Sequence, residues 1–323
     1  MKQPSLVAVL LFVLCLVTVF QVTPVDAQSQ VYIRNDGTVE GTDKITCNGN
    51  VYTVTADING GIIVEKDNIT IEGSGHVLQG TGAEHTAGLT LRGRIGVTVS
   101  DFRIESFEYG ILVVPEYAEL GIPSVDATGN KITKNVVTNC TEGIALAETS
   151  LNEVTSNTVS NNDDGIVIAR SSYNIREYGY NQITGNTITN NKNAIVIKWT
   201  TNNEIVGNII QNNTNAIDGN MGSSSSSNTV HHNAFVNNTI NLANPELRIQ
   251  WDNGKEGNYW SNYNGTDTNG DGVGETPYTI YKVIQDIHPL VNMIPEFPTT
   301  AILPLFALAT VLAAAFYQKM KTN

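Results

Sequence analysis

Between residues 130 and 242 asparagine returns on a fixed frame of about 22 residues, and few folds can accommodate that spacing. Frames start at Asn130, Asn152, Asn181, Asn203 and Asn228, and the fifth residue after each start is again Asn: Asn135, Asn157, Asn186, Asn208 and Asn233. So is the ninth: Asn139, Asn161, Asn190, Asn212 and Asn237. Two residues after each start stand Ile132, Val154, Ile183, Ile205 and Val230, and fourteen after it Ile144, Ile166, Ile195, Ile217 and Leu242. Weaker copies of the frame begin at Gly75 and Val97, as terminal repeats of an array do.

Each unit is rich in Asn, Gly and β-branched residues, and its apolar positions are spaced by two, as in Ile144/Leu146 and Ile166/Ile168. That chemistry excludes a helical solenoid and favours short strands joined by turns. Units stacked at roughly 4.8 Å pair each strand in parallel with its counterpart in the next coil. The expected fold is therefore all-β, a single-stranded parallel β-helix. The recurring asparagines are read as inward ladders whose amides satisfy the turn backbone from coil to coil, including those nine residues into each frame.

The two ends differ from this array. Lys2, an apolar run over residues 6–20, and Val25 and Ala27 before a polar stretch read as a signal peptide cut after Ala27. Residues 301–317 are apolar and are followed by Lys319 and Lys321, a basic end expected on the cytoplasmic side of a transmembrane segment. The expected organisation is signal peptide 1–27, N-terminal cap and first coils 28–74, β-helix repeats 75–246, a Trp/Tyr-rich module 247–293 and a membrane anchor 294–323. This places the body of the chain outside the cell, at its surface. A net charge of -13 with only 15% charged residues excludes a basic nucleic-acid-binding face. Cys47 and Cys140, left after cleavage, could form one bridge in an oxidising compartment, but are read first as two buried free thiols.

The frame resembles the right-handed parallel β-helices of the NosD and carbohydrate-binding/sugar-hydrolase group over roughly residues 50–245. The run Gly257-Asn258-Tyr259-Trp260-Ser261-Asn262-Tyr263, with Asp286 and His288-Pro289-Leu290, resembles the C-terminal module of archaeal NosD-like surface proteins. Pro295-Glu296-Phe297-Pro298 before the apolar span resembles the archaeal PEF-CTERM sorting signal, which implies processing by an archaeosortase. The resemblance implies a right-handed coil and a polysaccharide partner.

Several constellations are candidates for chemistry. Asp267, Asn269, Asp271 and Glu275, with the Val273 carbonyl, place oxygen ligands at alternate positions as in an EF-hand loop, so Ca²⁺ is the expected ion. Tyr278 stands where such a loop ends in Glu. His231 and His232 are adjacent, and strand alternation sends neighbours to opposite faces; with no Met or Cys cluster beside them, the residues argue against copper. Asp163-Asp164 resembles the Asp-Asp turn of polygalacturonases, though that family's Gly-His-Gly and Arg-Ile-Lys are missing, and Glu142 falls one coil from Asp164. Glu142, Asp163 and Asp164 are thus candidate acid/base residues. Insertions beyond the 22-residue frame at residues 115–127, 171–178 and 223–227 leave the coil at one corner, where Glu148, Arg170 and Trp199 form a candidate sugar-binding column. Sequons begin at Asn68, Asn139, Asn212, Asn237 and Asn264; with three assigned to an inward ladder, glycosylation is expected at Asn68 and Asn264. The leading functional reading is a non-catalytic glycan-binding or cell-envelope/adhesion protein. A polysaccharide lyase, hydrolase or epimerase and a copper-handling accessory protein are the alternatives.

Overall fold

A computed structural model describes residues 30–117, 123–169, 178–219 and 227–293. The predicted signal peptide and anchor, Arg170, and most of the three insertions lie outside these residues. The chain winds as a right-handed parallel β-solenoid whose walls are two ten-stranded sheets and one nine-stranded sheet. In the three central coils three residues enter sheet 2 (Lys131–Thr133, Glu153–Thr155, Gln182–Thr184), three enter sheet 3 (Val136–Thr138, Thr158–Ser160, Thr187–Thr189), and six enter sheet 1 (Glu142–Ala147, Asp164–Ala169, Asn193–Lys198). Every coil pairs in register with the next: Ile132 opposite Val154, Val137 opposite Val159, Ile144 opposite Ile166.

The alternation predicted from sequence explains the core. Ile132, Val154, Ile183, Ile205 and Val230 form one fully buried column, and Ile144, Ile166, Ile195 and Ile217 another. Burying each such side chain is worth about 1.5–3 kcal/mol. At the N-terminal edge two antiparallel pairings, Val31–Ile33 with Val39–Glu40 and Ile45–Asn48 with Val51–Val54, cover strand edges that would otherwise present unpaired amides. The opposite end is plugged by aromatic rings: Trp260 stacks on Phe235 at 4.3 Å and on Tyr278 at 4.5 Å, with Trp251 tilted against it at 5.7 Å.

Three asparagine ladders line the corners, and one is displaced by a residue from the sequence reading. Asn130, Asn152, Asn181, Asn203 and Asn228 form the first. Asn135, Asn157, Asn186, Asn208 and Asn233 form the second, which continues to Asn258. Asn162, Asn191, Asn213 and Asn238 form the third, with Cys140 at its head. Asn139, Asn161, Asn190, Asn212 and Asn237, expected to face inward, are exposed and left-handed, with φ between 52° and 57°. Each corner needs one left-handed residue immediately before its ladder residue, as Ser156 precedes Asn157 and Asn161 precedes Asn162. Asparagine is among the few non-glycine residues that accept that conformation. Two separate demands, one of backbone and one of hydrogen bonding, therefore select the same amino acid side by side.

Between ladder members every donation runs in the same direction, while each Nδ2 of the second ladder also donates back to a carbonyl of the preceding coil, as Asn186 does to Val154. In the second ladder, the backbone N and Nδ2 of Asn157 both donate to Asn186 Oδ1, at 2.9 and 3.0 Å, and those of Asn186 donate to Asn208 Oδ1, both at 2.9 Å. The series ends at a carboxylate. Asp286, completely buried, accepts from the backbone N of Asn258 at 2.7 Å, from Trp260 Nε1 at 2.9 Å and from the backbone N of His288 at 3.1 Å. Burial pushes its pKa up, and the Trp260, Asn258 and His288 donors pull it back. Ile249–Gln250 and Tyr259–Trp260 extend two of the solenoid's sheets, and the end of one ladder ties the segment around Asp286 to them.

Candidate functional site

Sheet 1 has the longest strands, and its outer face carries side chains stacked coil upon coil. One outward column reads Tyr109, Glu142, Asp164, Asn193, Asn215. Parallel register holds successive members about 4.8 Å apart at the backbone. Asn193 Nδ2 donates to Asp164 Oδ1 at 2.7 Å, and Asn215 Nδ2 donates to Asn193 Oδ1 at 2.7 Å, so the lower part of the column is a hydrogen-bonded chain. Beside it Ala145, Val167 and Val196 form a small second apolar cluster, packed with Tyr109, Leu112 and Ala169.

The acidic end of the column is electrostatically crowded. Burial raises the Glu142 pKa above its usual value, Asp164 and Glu108 raise it further, and Lys198 works against them. The Tyr109 hydroxyl is pushed up to about 12 by burial and by the charges of Glu142 and Glu108. Of the predicted acid/base candidates, the structure therefore sets Glu142 opposite Asp164 on adjacent strands and leaves Asp163 exposed beside them.

Above Tyr109 the same face opens into a depression of about 510 Å³. Its walls include Glu65, His85, Arg92, Arg94, Tyr109 and Glu116. Arg94 is held in place: its guanidinium lies 3.3 Å from Asp67, and Nε donates to the Arg92 carbonyl at 2.9 Å. Arg92 itself is exposed. Sequence reasoning missed this hollow because its residues come from strands where the frame is degenerate; the signal available was the polar run Arg92, Arg94 directly after the apolar Leu89 and Leu91.

The predicted sugar-binding column at the insertion corner has a different character. Glu148 is 6% exposed and Trp199 half-buried, both left-handed at the same corner, while Arg170 lies outside the described residues. In the loop 267–275 the predicted metal ligands serve the loop's own backbone. Asp267 accepts from the amides of Gly270 and Gly272 at 2.6 and 2.8 Å, Asp271 Oδ1 from that of Val273 at 2.9 Å, and Glu275 from that of Thr268 at 2.6 Å. Asn269 Nδ2 donates to Asp271 Oδ2 at 3.0 Å. Cys47 is exposed, contrary to the buried thiol expected, because it lies on the outer hairpin strand Ile45–Asn48; Cys140 is buried and free.

The histidine pair also departs from expectation. His231 ends the strand Asn228–His231 and His232 takes the left-handed corner position, φ 58°, so alternation fails there and the rings converge. Their Nδ1 atoms lie 2.7 Å apart.

A right-handed β-solenoid built of stacked coils defines a repeat protein of the parallel β-helix class. The family model described as "Periplasmic copper-binding protein (NosD)" matches residues 27–265, and the chain belongs to that family. Its periplasmic description is consistent with a location outside the cytoplasm. No curated protein sequence matches the chain. Among solved structures it is similar to the periplasmic alginate epimerase AlgG at 12% identity, over 71% of this chain and 76% of that one, with a TM-score of 0.36. Pectate lyase Pel9A is similar at 11% identity over 66% and 61%, TM-score 0.35. The A-module of the Azotobacter vinelandii mannuronan C-5 epimerase AlgE4 is similar at 12% identity over 68% and 86%, TM-score 0.30. As for the copper of the family description, no group of three or more His, Cys, Asp or Glu among the described residues is placed to hold a metal. The imidazoles of His231 and His232 meet at hydrogen-bond distance, too close to hold an ion between them as they stand.

Proposed function

We propose that the outer face of sheet 1 is a binding surface for an extended polysaccharide outside the cell, and that the protein holds the chain without turning it over. The supporting observation is the continuity of the open hollow, Tyr109 and the coil-by-coil polar column on one straight face. Carboxylates and amides accept and donate to sugar hydroxyls, the Arg92 and Arg94 guanidiniums favour oxygen-rich or acidic sugars, and Tyr109 with Leu112 offers an apolar patch to a ring face. The test is a glycan array probed with the full chain, with product analysis of every hit. Retention that falls with Arg92→Ala and Tyr109→Ala supports the reading; a chain that retains no glycan ends it.

One observation favours a second reading, a polysaccharide lyase, hydrolase or epimerase. Glu142, whose pKa is raised by burial and by Asp164, stands beside Asp164, which accepts from Asn193, and such a division suits acid and base roles. Cleaved or epimerised product, lost in Asp164→Asn with the fold intact, is the result that selects it.

The proposal extends to the setting. Residues 1–27 export the chain, and 294–323 tether it to the membrane or pass it to an archaeosortase. The loop 267–275 takes Ca²⁺ when its carboxylates turn from their own amides to the ion.

A further inference from the structure

We propose that the hairpin tip Tyr281-Lys282-Val283 seats in the headgroup layer of the membrane to which the chain is tethered. The inference rests on the tether proposed above, residues 294–323, and adds to it a second contact, made by the folded body. Exposed apolar side chains gather in the C-terminal module. Of the ten large hydrophobic residues exposed among the described residues, four, Tyr281, Val283, Ile287 and Met293, lie between 281 and 293. Val283 is the most exposed of the ten, at 91%. Apolar side chains scattered singly over a surface need no explanation, whereas a run of them beside a membrane tether marks a contact.

The hairpin is built to project. Tyr278–Tyr281 pairs with Ile284–Asp286, with Tyr281 opposite Ile284, so Lys282 and Val283 form a two-residue turn. The root is fixed: Tyr278 stacks on Trp260 at 4.5 Å and donates to Asn262 Oδ1 at 2.9 Å, Ile280 and Ile284 pack against the core, and Asp286 is completely buried. With the root held, Val283 has no inward route to burial. Lys282 takes the left-handed turn position, φ 47°, and its Nζ lies 5.1 Å over the Tyr281 ring.

The chemistry of the tip suits a lipid interface. A tyrosine sets its ring among the acyl ends and its hydroxyl in water, a lysine meets phosphate, and an aliphatic side chain enters the boundary layer. No carboxylate stands between Tyr278 and Gln285 to oppose anionic headgroups. The reach of the tether agrees. Residues 294–300 separate Met293 from the apolar run at 301–317, and that stretch spans at most about 30 Å when fully extended. Cys47, on the first of the ten strands of sheet 2, is about 43 Å from the last strand, Ile249–Gln250, at roughly 4.8 Å per spacing. The C-terminal module, and not the N-terminal cap, is therefore the part that the tether keeps at the bilayer.

The experiment places a thiol-reactive fluorophore on Gln285→Cys, beside the tip rather than in it, in the full chain carrying Cys15→Ser and Cys47→Ser; Cys140 is buried and does not react. A second chain, with Cys15→Ser alone, carries the same fluorophore on the exposed Cys47. Each is reconstituted into phosphatidylcholine vesicles that contain phosphatidylglycerol and a lipid with a nitroxide quencher on its headgroup. Flotation with the vesicles reports the tether, and quenching reports the hairpin. Both chains are expected to float, with quenching severalfold stronger at position 285 than at Cys47. Adding Val283→Asp should bring position 285 down to the Cys47 level while the chain still floats. A floating chain whose two positions are quenched alike, or whose quenching is unchanged by Val283→Asp, overturns the hairpin contact and leaves the tether standing. A chain that does not float ends both.

Discussion

Replacing Asn186 by alanine tests the ladder account at its centre. The Asn186 side chain accepts from the backbone N of Asn157 at 2.9 Å and from Asn157 Nδ2 at 3.0 Å, and donates to the Val154 carbonyl at 2.8 Å and to Asn208 Oδ1 at 2.9 Å. Not all of these partners are stranded by its removal. Asn157 Nδ2 keeps the Ile132 carbonyl at 2.9 Å, and Asn208 Oδ1 keeps the backbone N of Asn186 at 2.9 Å. The backbone N of Asn157 loses its acceptor inside the wall, and a buried orphaned donor costs about 1–3 kcal/mol. Two or three further bonds lost at about 0.5–1.5 kcal/mol each bring the expected destabilisation to about 3–5 kcal/mol. Asn190→Ala, four residues on, removes an exposed side chain and costs only the left-handed preference of its corner, about 1 kcal/mol. Thermal unfolding of the two variants, followed by circular dichroism, should separate them. At about 2–4 °C per kcal/mol, Asn186→Ala lowers Tm by about 6–20 °C. Equal shifts for the two variants would refute the assignment of one asparagine to the wall and the other to the turn.

Four other outcomes are expected. Glu142, with its pKa raised in the folded state, binds protons more readily there than in the unfolded chain, so its contribution to stability falls as pH rises from the ordinary carboxylate value to the folded one. Glu142→Gln should therefore raise Tm at neutral pH and lose that advantage in acid; a gain independent of pH contradicts the cause. Asp286→Ala strands Trp260 Nε1 and the backbone N of Asn258 and His288, and is expected to cost about 3 kcal/mol or more and to red-shift tryptophan emission. Calorimetry with Ca²⁺ should show binding that Asp271→Ala abolishes, and unchanged heats remove the loop from the account. Because Asn139, Asn212 and Asn237 are exposed, mass spectrometry of chain secreted from a glycosylating host should find glycans there as well as at Asn68 and Asn264; occupancy confined to the latter two restores the inward assignment.

The fold was legible in the sequence because one repeat unit encodes one coil, and inward positions such as Ile132 and Ile144 carry the same hydrophobic class in every copy. Register followed from that spacing, and Glu142 opposite Asp164 is its direct product. The ladder beginning at Cys140 was obscured because corners select Asn twice, once for φ at Asn161 and once for hydrogen bonding at Asn162. His231 and His232 misled for a related reason: alternation holds only within a strand, and His232 stands where Gly185 and Gly207 turn the neighbouring coils. The hollow beside Arg92 and Arg94 was hidden because its parts lie in coils whose sequence has drifted furthest from the frame. Asp286 gave no periodic signal, since it belongs to the end of the array rather than to its repeat.

The one-way donation along the ladders makes the solenoid a polar filament of fixed direction whose length is quantised. A whole unit can be spliced in or out with each amide still meeting the next, and extra residues are absorbed at one corner, where coils of 25 and 29 residues keep all three ladders in register. The second ladder ends on an acceptor that is not another asparagine, since the backbone N of Asn258 donates to Asp286. Asp286 acts as the terminator of that ladder, so a lengthened or shortened version of this chain keeps the ladder's end only where it keeps Asp286 opposite the last asparagine.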